Sequence, residues 1–133
     1  MCAKPTFETV TLFAEAFPET RAFYLSVLGL PLVYEDEVSA VFEFGGVMIN
    51  VLALSQADEL VTPGASRGAG AGVSSLLTLL VDDCDLYCHM LVKAGVTLRN
   101  GPVDRPWGRR TAAFADPSGH VWEVAQKLEA GAP

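Results

Sequence analysis

Residues 55–72 read SQADELVTPGASRGAGAG, and the parsing of the whole chain turns on this stretch. Four glycines, four alanines and a proline in 18 positions cannot pack a core, so a linker or surface loop is expected there. On either side the hydrophobic pattern is regular, and it is the same pattern twice. Upstream, residues 6–13 alternate and are rich in Val, Thr and Phe, which predicts a strand. Pro18 suits the first turn of a helix, where its missing N–H leaves no bond unmade, and Glu19 complements the positive end of the helix dipole. Ala22, Phe23, Val27 and Leu28 then fall on one helical face, and Gly29 stands where a left-handed cap ends the helix. Strands are predicted at 30–35, 40–44 and 47–54, separated by acidic residues 35–37 and by Gly45-Gly46.

Downstream the order recurs. A strand is predicted at 74–81. Asp82, Asp83 and Asp85 open a helix with a capping carboxylate, Tyr87, Leu91 and Val92 are assigned to its inner face, and Gly95 ends it. Strands follow at 96–98, 111–115 and 121–126, the first two divided by a Pro- and Gly-rich loop at 100–110 and the last two by a tight turn at residues 116–119. The fold class is therefore α+β, with two βαβββ modules at about 5–54 and 73–128 joined by 55–72 within a single domain over 1–133. One helix covers one face of each sheet. Two such half-sheets side by side would form a cupped mixed sheet, with the uncovered faces lining a concave cleft of the kind that takes small ligands.

Composition narrows the function. Half of the 133 residues are hydrophobic and 19% are charged, which is too apolar for a disordered chain. A net charge of -7, from 16 acidic and 9 basic residues, argues against nucleic acid as a partner, since phosphates are repelled. No apolar run approaches the roughly 20 residues that span a bilayer, and the opening residues show no secretory pattern, so no membrane partner is expected. Three cysteines, Cys2, Cys84 and Cys88, make no disulfide framework, and a cytoplasmic location is expected. The charged share lies below the roughly 25% of average domains, which leaves apolar surface for a cleft and for a second protomer.

Three motifs carry a resemblance. Ala22-Phe23-Tyr24 followed by Val27-Leu28-Gly29-Leu30, the segment Asp82-Asp83 with Ala94-Gly95-Val96, and the run from Phe114 through Asp116-Pro117-Ser118-Gly119 to Glu123 resemble, in order, the vicinal oxygen chelate superfamily of glyoxalases, extradiol dioxygenases and bleomycin-resistance proteins. The resemblance implies paired βαβββ modules. It also implies, for enzymatic members, a divalent ion held by a His on the first strand, a Glu or other ligand on the fourth, a His on the fifth and a Glu on the last, acting as a Lewis acid. The matching positions here hold Thr9, Asn50, Leu76 and Glu123, of which only Glu123 keeps a ligand type. No metal ligand set and no cofactor is therefore expected, and His89 and His120 are read as surface or packing residues. Cys84 and Cys88 are read as small packing residues.

Strand alternation adds Thr11, Phe13, Met48, Leu52, Thr78 and Val121 to the same faces, a mostly apolar lining suited to a flat organic molecule. Glu123 on such a face needs a partner. It is read as a ligand-binding carboxylate, as a catalytic base if the protein is an enzyme, or as a residue tied to Asn50 or Thr9. Trp107, with Arg109 beside it, offers a stacking plane and an anion-binding group, or else covers a sheet edge. Similar segments in members related to bleomycin-resistance proteins border the ligand cleft. The expected function is metal-free binding of a small organic ligand, an antibiotic or other aromatic compound, by a homodimer. The alternative is a glyoxalase-like lyase, isomerase or dioxygenase using Glu123.

Overall fold

The computed structural model describes residues 6–61, 67–68, 70, 72–73 and 75–129, with the backbone alone at Glu59. The chain divides into two compact units, 1–71 and 72–133. Each holds a four-stranded mixed sheet and the βαβββ order expected from the repeat.

In the first unit β1 (Thr9–Ala14) runs parallel to β4 (Val47–Ala53), and β3 (Ser39–Phe44) and β2 (Leu32–Glu35) continue the sheet antiparallel, giving the order β1-β4-β3-β2. The helix packed on it begins as α1 (Phe17–Ala22), with its proline in the first turn, and continues as a π-helical turn over Phe23–Val27. The inner face differs from the expected one: Thr20, Phe23 and Tyr24 stand at i, i+3 and i+4 on one face, and the π-turn then shifts the phase of Val27 and Leu28. Wider i→i+5 winding, as in the bond from Leu28 N to the Phe23 carbonyl at 3.2 Å, rotates the side chains out of 3.6-residue phase. Ala22 is exposed, whereas Thr20, Phe23 and Tyr24 are buried. Tyr24 packs edge-on against Phe23 at 5.4 Å between ring centroids and tilted against Phe42 at 6.0 Å. Gly29 closes the helix at φ 65°, where Leu30 N reaches the Tyr24 carbonyl at 3.0 Å.

Part of the expected linker is structured. Leu54–Gln56 forms a 3₁₀ turn and Asp58–Val61 a short helix, α2, with Ala57 between them fully buried. The small residues that argued against packing thus let one methyl seat closely. Positions 62–66, 69 and 71 of that segment lie outside the described residues, as do Cys2, the start of the expected strand at Ser74 and the end of the C-terminal tail.

In the second unit β5 (Leu77–Leu80) runs parallel to β8 (Val121–Lys127), with β7 (Arg109–Ala115) and β6 (Leu98–Arg105) outside it. Helix α3 (Cys84–Lys93) starts where the aspartates foretold: the Asp83 carboxylate accepts from Leu86 N at 3.1 Å. Its inner face is Cys84, Cys88 and Leu91, while Val92, assigned inward from sequence, is 53% exposed. Arg110 ties helix to sheet, donating to Asp85 and Asp104 at 2.9 Å each. The expected loop at 100–110 is instead a long hairpin, with β6 running to Arg105 and β7 starting at Arg109. Its glycine and proline fall at register irregularities of an edge strand, where a missing donor or side chain is tolerated. Gly101, at φ 81°, lies so close to the Thr111 carbonyl and the Ala112 Cα that a Cβ would collide with both.

Candidate functional site

The strand registers assign each candidate residue to a sheet face. In the first unit the ring contact of Tyr24 with Phe42 marks the helix side, and Phe42 pairs with Ile49, which pairs with Val10. The adjacent positions therefore point the other way. They bring together Thr9 with Met48, Thr11 with Asn50 and Phe13 with Leu52, all on the face away from the helix. In the second unit Gln126 Oε1 accepts from Cys84 N at 2.8 Å, which places Gln126, Val124 and Trp122 on the helix side. Val121 and Glu123 then occupy the opposite face, with Thr78 paired to Glu123. Leu76 lies just before β5 and is 53% exposed.

The two units place different polar chemistry at corresponding points. Glu123 accepts a hydrogen bond from Thr78 Oγ1 at 3.1 Å, so the hydroxyl that orients it comes from the adjacent parallel strand. Thr9 donates to Glu8 Oε1 at 3.1 Å. Asn50 Oδ1 is buried and receives no hydrogen bond from the described residues. An unmade bond at a buried carbonyl costs on the order of 1–3 kcal/mol.

The hairpin tip adds a residue that sequence reading missed. Trp107 is 56% exposed in the turn between β6 and β7, and the cation over its ring is Arg105, with Cζ 6.0 Å from the centroid. Arg105 is held there by bonds to Thr111 Oγ1 at 2.9 Å and Asn100 Oδ1 at 3.3 Å. It pairs across the hairpin with Arg109. By alternation along β7, Arg109, Thr111 and Ala113 share one face, and Ala113 pairs with Glu123. Both arginines therefore belong to the same sheet face as the carboxylate. The signal was present in the spacing: a three-residue turn between two arginines places them opposite one another, but only if the segment is a hairpin and not a loop.

The remaining titratable candidates serve structure. His120 Nδ1 lies 2.8 Å from Asp116 Oδ2, and Asp116 Oδ1 accepts from the backbone N–H of Ser118 and His120, so the pair clamps the last turn. Cys84 and Cys88 are buried. Burial foremost, then the neighbouring Cys88, pushes the Cys84 thiol up to about 12, and burial pushes Cys88 up as well. Burial thus favours the protonated form of both thiols, as expected of packing residues.

These features meet a family. A profile of the glyoxalase/bleomycin resistance protein/dioxygenase superfamily matches residues 6–124, and the chain belongs to that superfamily. Among solved structures it is similar to a glyoxalase/bleomycin resistance protein/dioxygenase from Nocardioides, with a TM-score of 0.85 at 25% identity, covering 100% of this chain and 90% of that one. It also resembles a glyoxalase-related enzyme from Fulvimarina pelagi, with a TM-score of 0.78 at 21% identity over 96% of this chain and 95% of that one. A lactoylglutathione lyase from Agrobacterium tumefaciens shares the fold at a TM-score of 0.74 and 19% identity, over 93% of this chain and 95% of that one. No curated protein matches the sequence significantly.

The residues present do not fit the divalent ion that the superfamily's enzymes hold. The corresponding positions offer a threonine hydroxyl, an amide, a leucine and one carboxylate already bonded to Thr78. Among the described residues, no three His, Cys, Asp or Glu side chains are grouped to hold a metal. Divalent ions of this class take three or four N, S or O ligands from the protein.

Proposed function

We propose that the protein binds a small, flat organic molecule, an aromatic antibiotic or metabolite, without a metal, in the manner of the sequestering members of its superfamily. The observation that carries this reading is the replacement of the ligand set by Thr9, Asn50, Leu76 and Glu123. The ligand would lie against a sheet face away from the helix, lined by Thr11, Phe13, Met48 and Leu52 in the first unit or by Thr78 and Val121 in the second. The polar anchor would be Asn50 on the first unit's face and Glu123 on the second's, where Arg105 and Arg109 belong to the same sheet and Trp107 to its hairpin. Apolar walls with a few oriented polar groups suit such a ligand. The protein would work in the cytoplasm as a homodimer, with neither nucleic acid nor membrane as partner. Among the described residues no helix is long and apolar enough to cross a bilayer.

A second reading, proton transfer by Glu123 in a lyase, isomerase or dioxygenase, is favoured by one fact: Thr78 orients that carboxylate.

The test is a thermal-shift screen of aromatic compounds with and without chelator, since a ligand that binds only the folded state raises its stability. The expected hit persists in chelator and quenches tryptophan fluorescence in the wild type but not in Trp107→Ala. One tightly bound divalent ion per purified chain would overturn the metal-free reading.

A further inference from the structure

Three cations stand opposite one another across the sheet of the second unit. Arg105 of β6 pairs in register with Arg109 of β7, and Arg109 pairs with Lys127 of β8. All three belong to the face away from α3. Arg110 turns to the helix side to meet Asp85, so its neighbour Arg109 turns away, and Arg105 bonds Thr111, which shares the face of Arg109 by alternation. Lys127 is in phase with Glu123 and out of phase with Gln126, whose side chain bonds Cys84 N on the helix side. Three of the nine basic residues in a chain of net charge -7 thus form one row.

Like charges set directly opposite on a sheet destabilise it, and no carboxylate offsets them here. Among the described residues Arg105, Arg109 and Lys127 make no ion pair, whereas Arg21 and Arg110 do. Neighbouring acids are engaged elsewhere or set apart. Asp104 accepts from Arg110 at 2.9 Å on the helix side. Glu123 stands four positions from Lys127, about 13 Å along the strand. Glu129, past the end of β8, makes no ion pair. The Arg105 guanidinium is held by neutral acceptors, Thr111 Oγ1 at 2.9 Å and Asn100 Oδ1 at 3.3 Å, so its position is fixed while its charge is left uncompensated. Trp107 lies at the end of the row, with Arg105 Cζ 6.0 Å from its ring centroid and 56% of its surface exposed.

We propose that this row is an anion site, and that the protein's small aromatic ligand carries a carboxylate or phosphate that the row binds while its ring stacks on Trp107. The aromatic part rests on the ligand class proposed above; the anionic part rests on the row alone. Planar guanidinium forks match the paired oxygens of a carboxylate or phosphate, and an exposed indole supplies a stacking plane. The bound anion provides the counter-charge that the fold withholds. The negative charge of the whole chain does not oppose this, because exposed charges more than about 10 Å away are largely screened at 0.1 M salt.

The probes are 2-naphthoate, 2-naphthyl phosphate and the neutral 2-naphthamide, titrated while NMR follows the indole N–H signals of the two tryptophans. Trp122, 3% exposed, is the internal control. The Trp107 signal, assigned by its loss in Trp107→Ala, is expected to shift with both anions, and the amide to bind at least about tenfold more weakly. The tighter of the two anions identifies the group recognised. Arg109→Gln and Lys127→Gln should each weaken anion binding about fivefold or more, and the double variant should bind the anions no better than the amide. Lys93→Gln, on α3, should bind like the wild type. Dispersed spectra verify the fold of each variant. An amide that binds at Trp107 as tightly as the anions overturns the anion site and leaves the aromatic reading standing. Anion binding untouched by Arg109→Gln and Lys127→Gln overturns the row. If no probe moves the Trp107 signal, the anion site falls, and the aromatic reading stands or falls by the thermal-shift screen.

Discussion

The two modules share a strand order and a parallel outer pair, with threonine at the same step of the register, yet they are built from different materials. The first buries aromatic bulk: Tyr24 and Phe23 on a π-helical turn against Phe42 of the sheet. The second packs Cys84, Cys88 and Leu91 from a regular capped helix onto Phe114, Trp122 and Val124, so its bulk lies in the strands. The polar residue differs too. Thr78 faces a carboxylate that it bonds, whereas Thr11 faces an amide with a carbonyl left unsatisfied. Topology therefore constrains where a polar group stands on the sheet, and leaves its chemistry and the core beneath it free to diverge.

The largest expected effect breaks the symmetry of the cores. Tyr24→Ala should cost about 3–5 kcal/mol by removing a fully buried ring. Cys88→Ala, on the matching helix, should cost only about 1 kcal/mol. Urea denaturation of both variants measures the contrast, and equal losses would mean that the helices contribute alike.

The edge strands provide the next test. Gly101→Ala should destabilise by about 2 kcal/mol, because its backbone is left-handed and the added methyl meets β7. The first module has no positive-φ residue within β2, Leu32–Glu35. A stability within error of wild type would show that β6 moves aside.

A smaller effect of opposite sign is expected at the polar pair. Asn50→Leu should stabilise the unliganded protein by about 1 kcal/mol, since it removes a buried acceptor without a partner. Thr78→Val should destabilise by less than about 1 kcal/mol, through its exposed bond to Glu123. If Asn50→Leu is destabilising, the amide is satisfied within the fold and is no ligand anchor.

The smallest effect is one of pH. The folded Cys84 thiol titrates at about 12, above the ordinary 9.0, so the protonated form is the one the fold favours. Its contribution to stability is complete below about 9 and is lost as pH rises towards about 12. Alkylation read by mass spectrometry should leave Cys84 and Cys88 unmodified in the native protein near pH 9 and label both in urea. Native labelling at the rate of a free thiol would contradict the buried core of the second module.

Much of this was legible in residue order. Hydrophobic alternation, the aspartates before Cys84, Gly29 and Gly95 after the helices, and the repetition on either side of 55–72 specify two βαβββ modules, because these signals act through neighbours along the chain. The assignment of Thr9, Asn50 and Leu76 to the superfamily's ligand positions rests on motif spacing alone. Tertiary structure alone decided the rest. Tyr24, and not Ala22, entered the core because the sheet set the buried face along Thr20, Phe23 and Tyr24, one helical step round from the face assigned by sequence. Residues 100–110 became a hairpin because pairing with β7 outweighs the turn preference of glycine and proline. That pairing also set Arg105 over Trp107, and strand register selected Thr78 as the partner of Glu123. Contacts between residues distant in sequence depend on packing energies that no local pattern encodes.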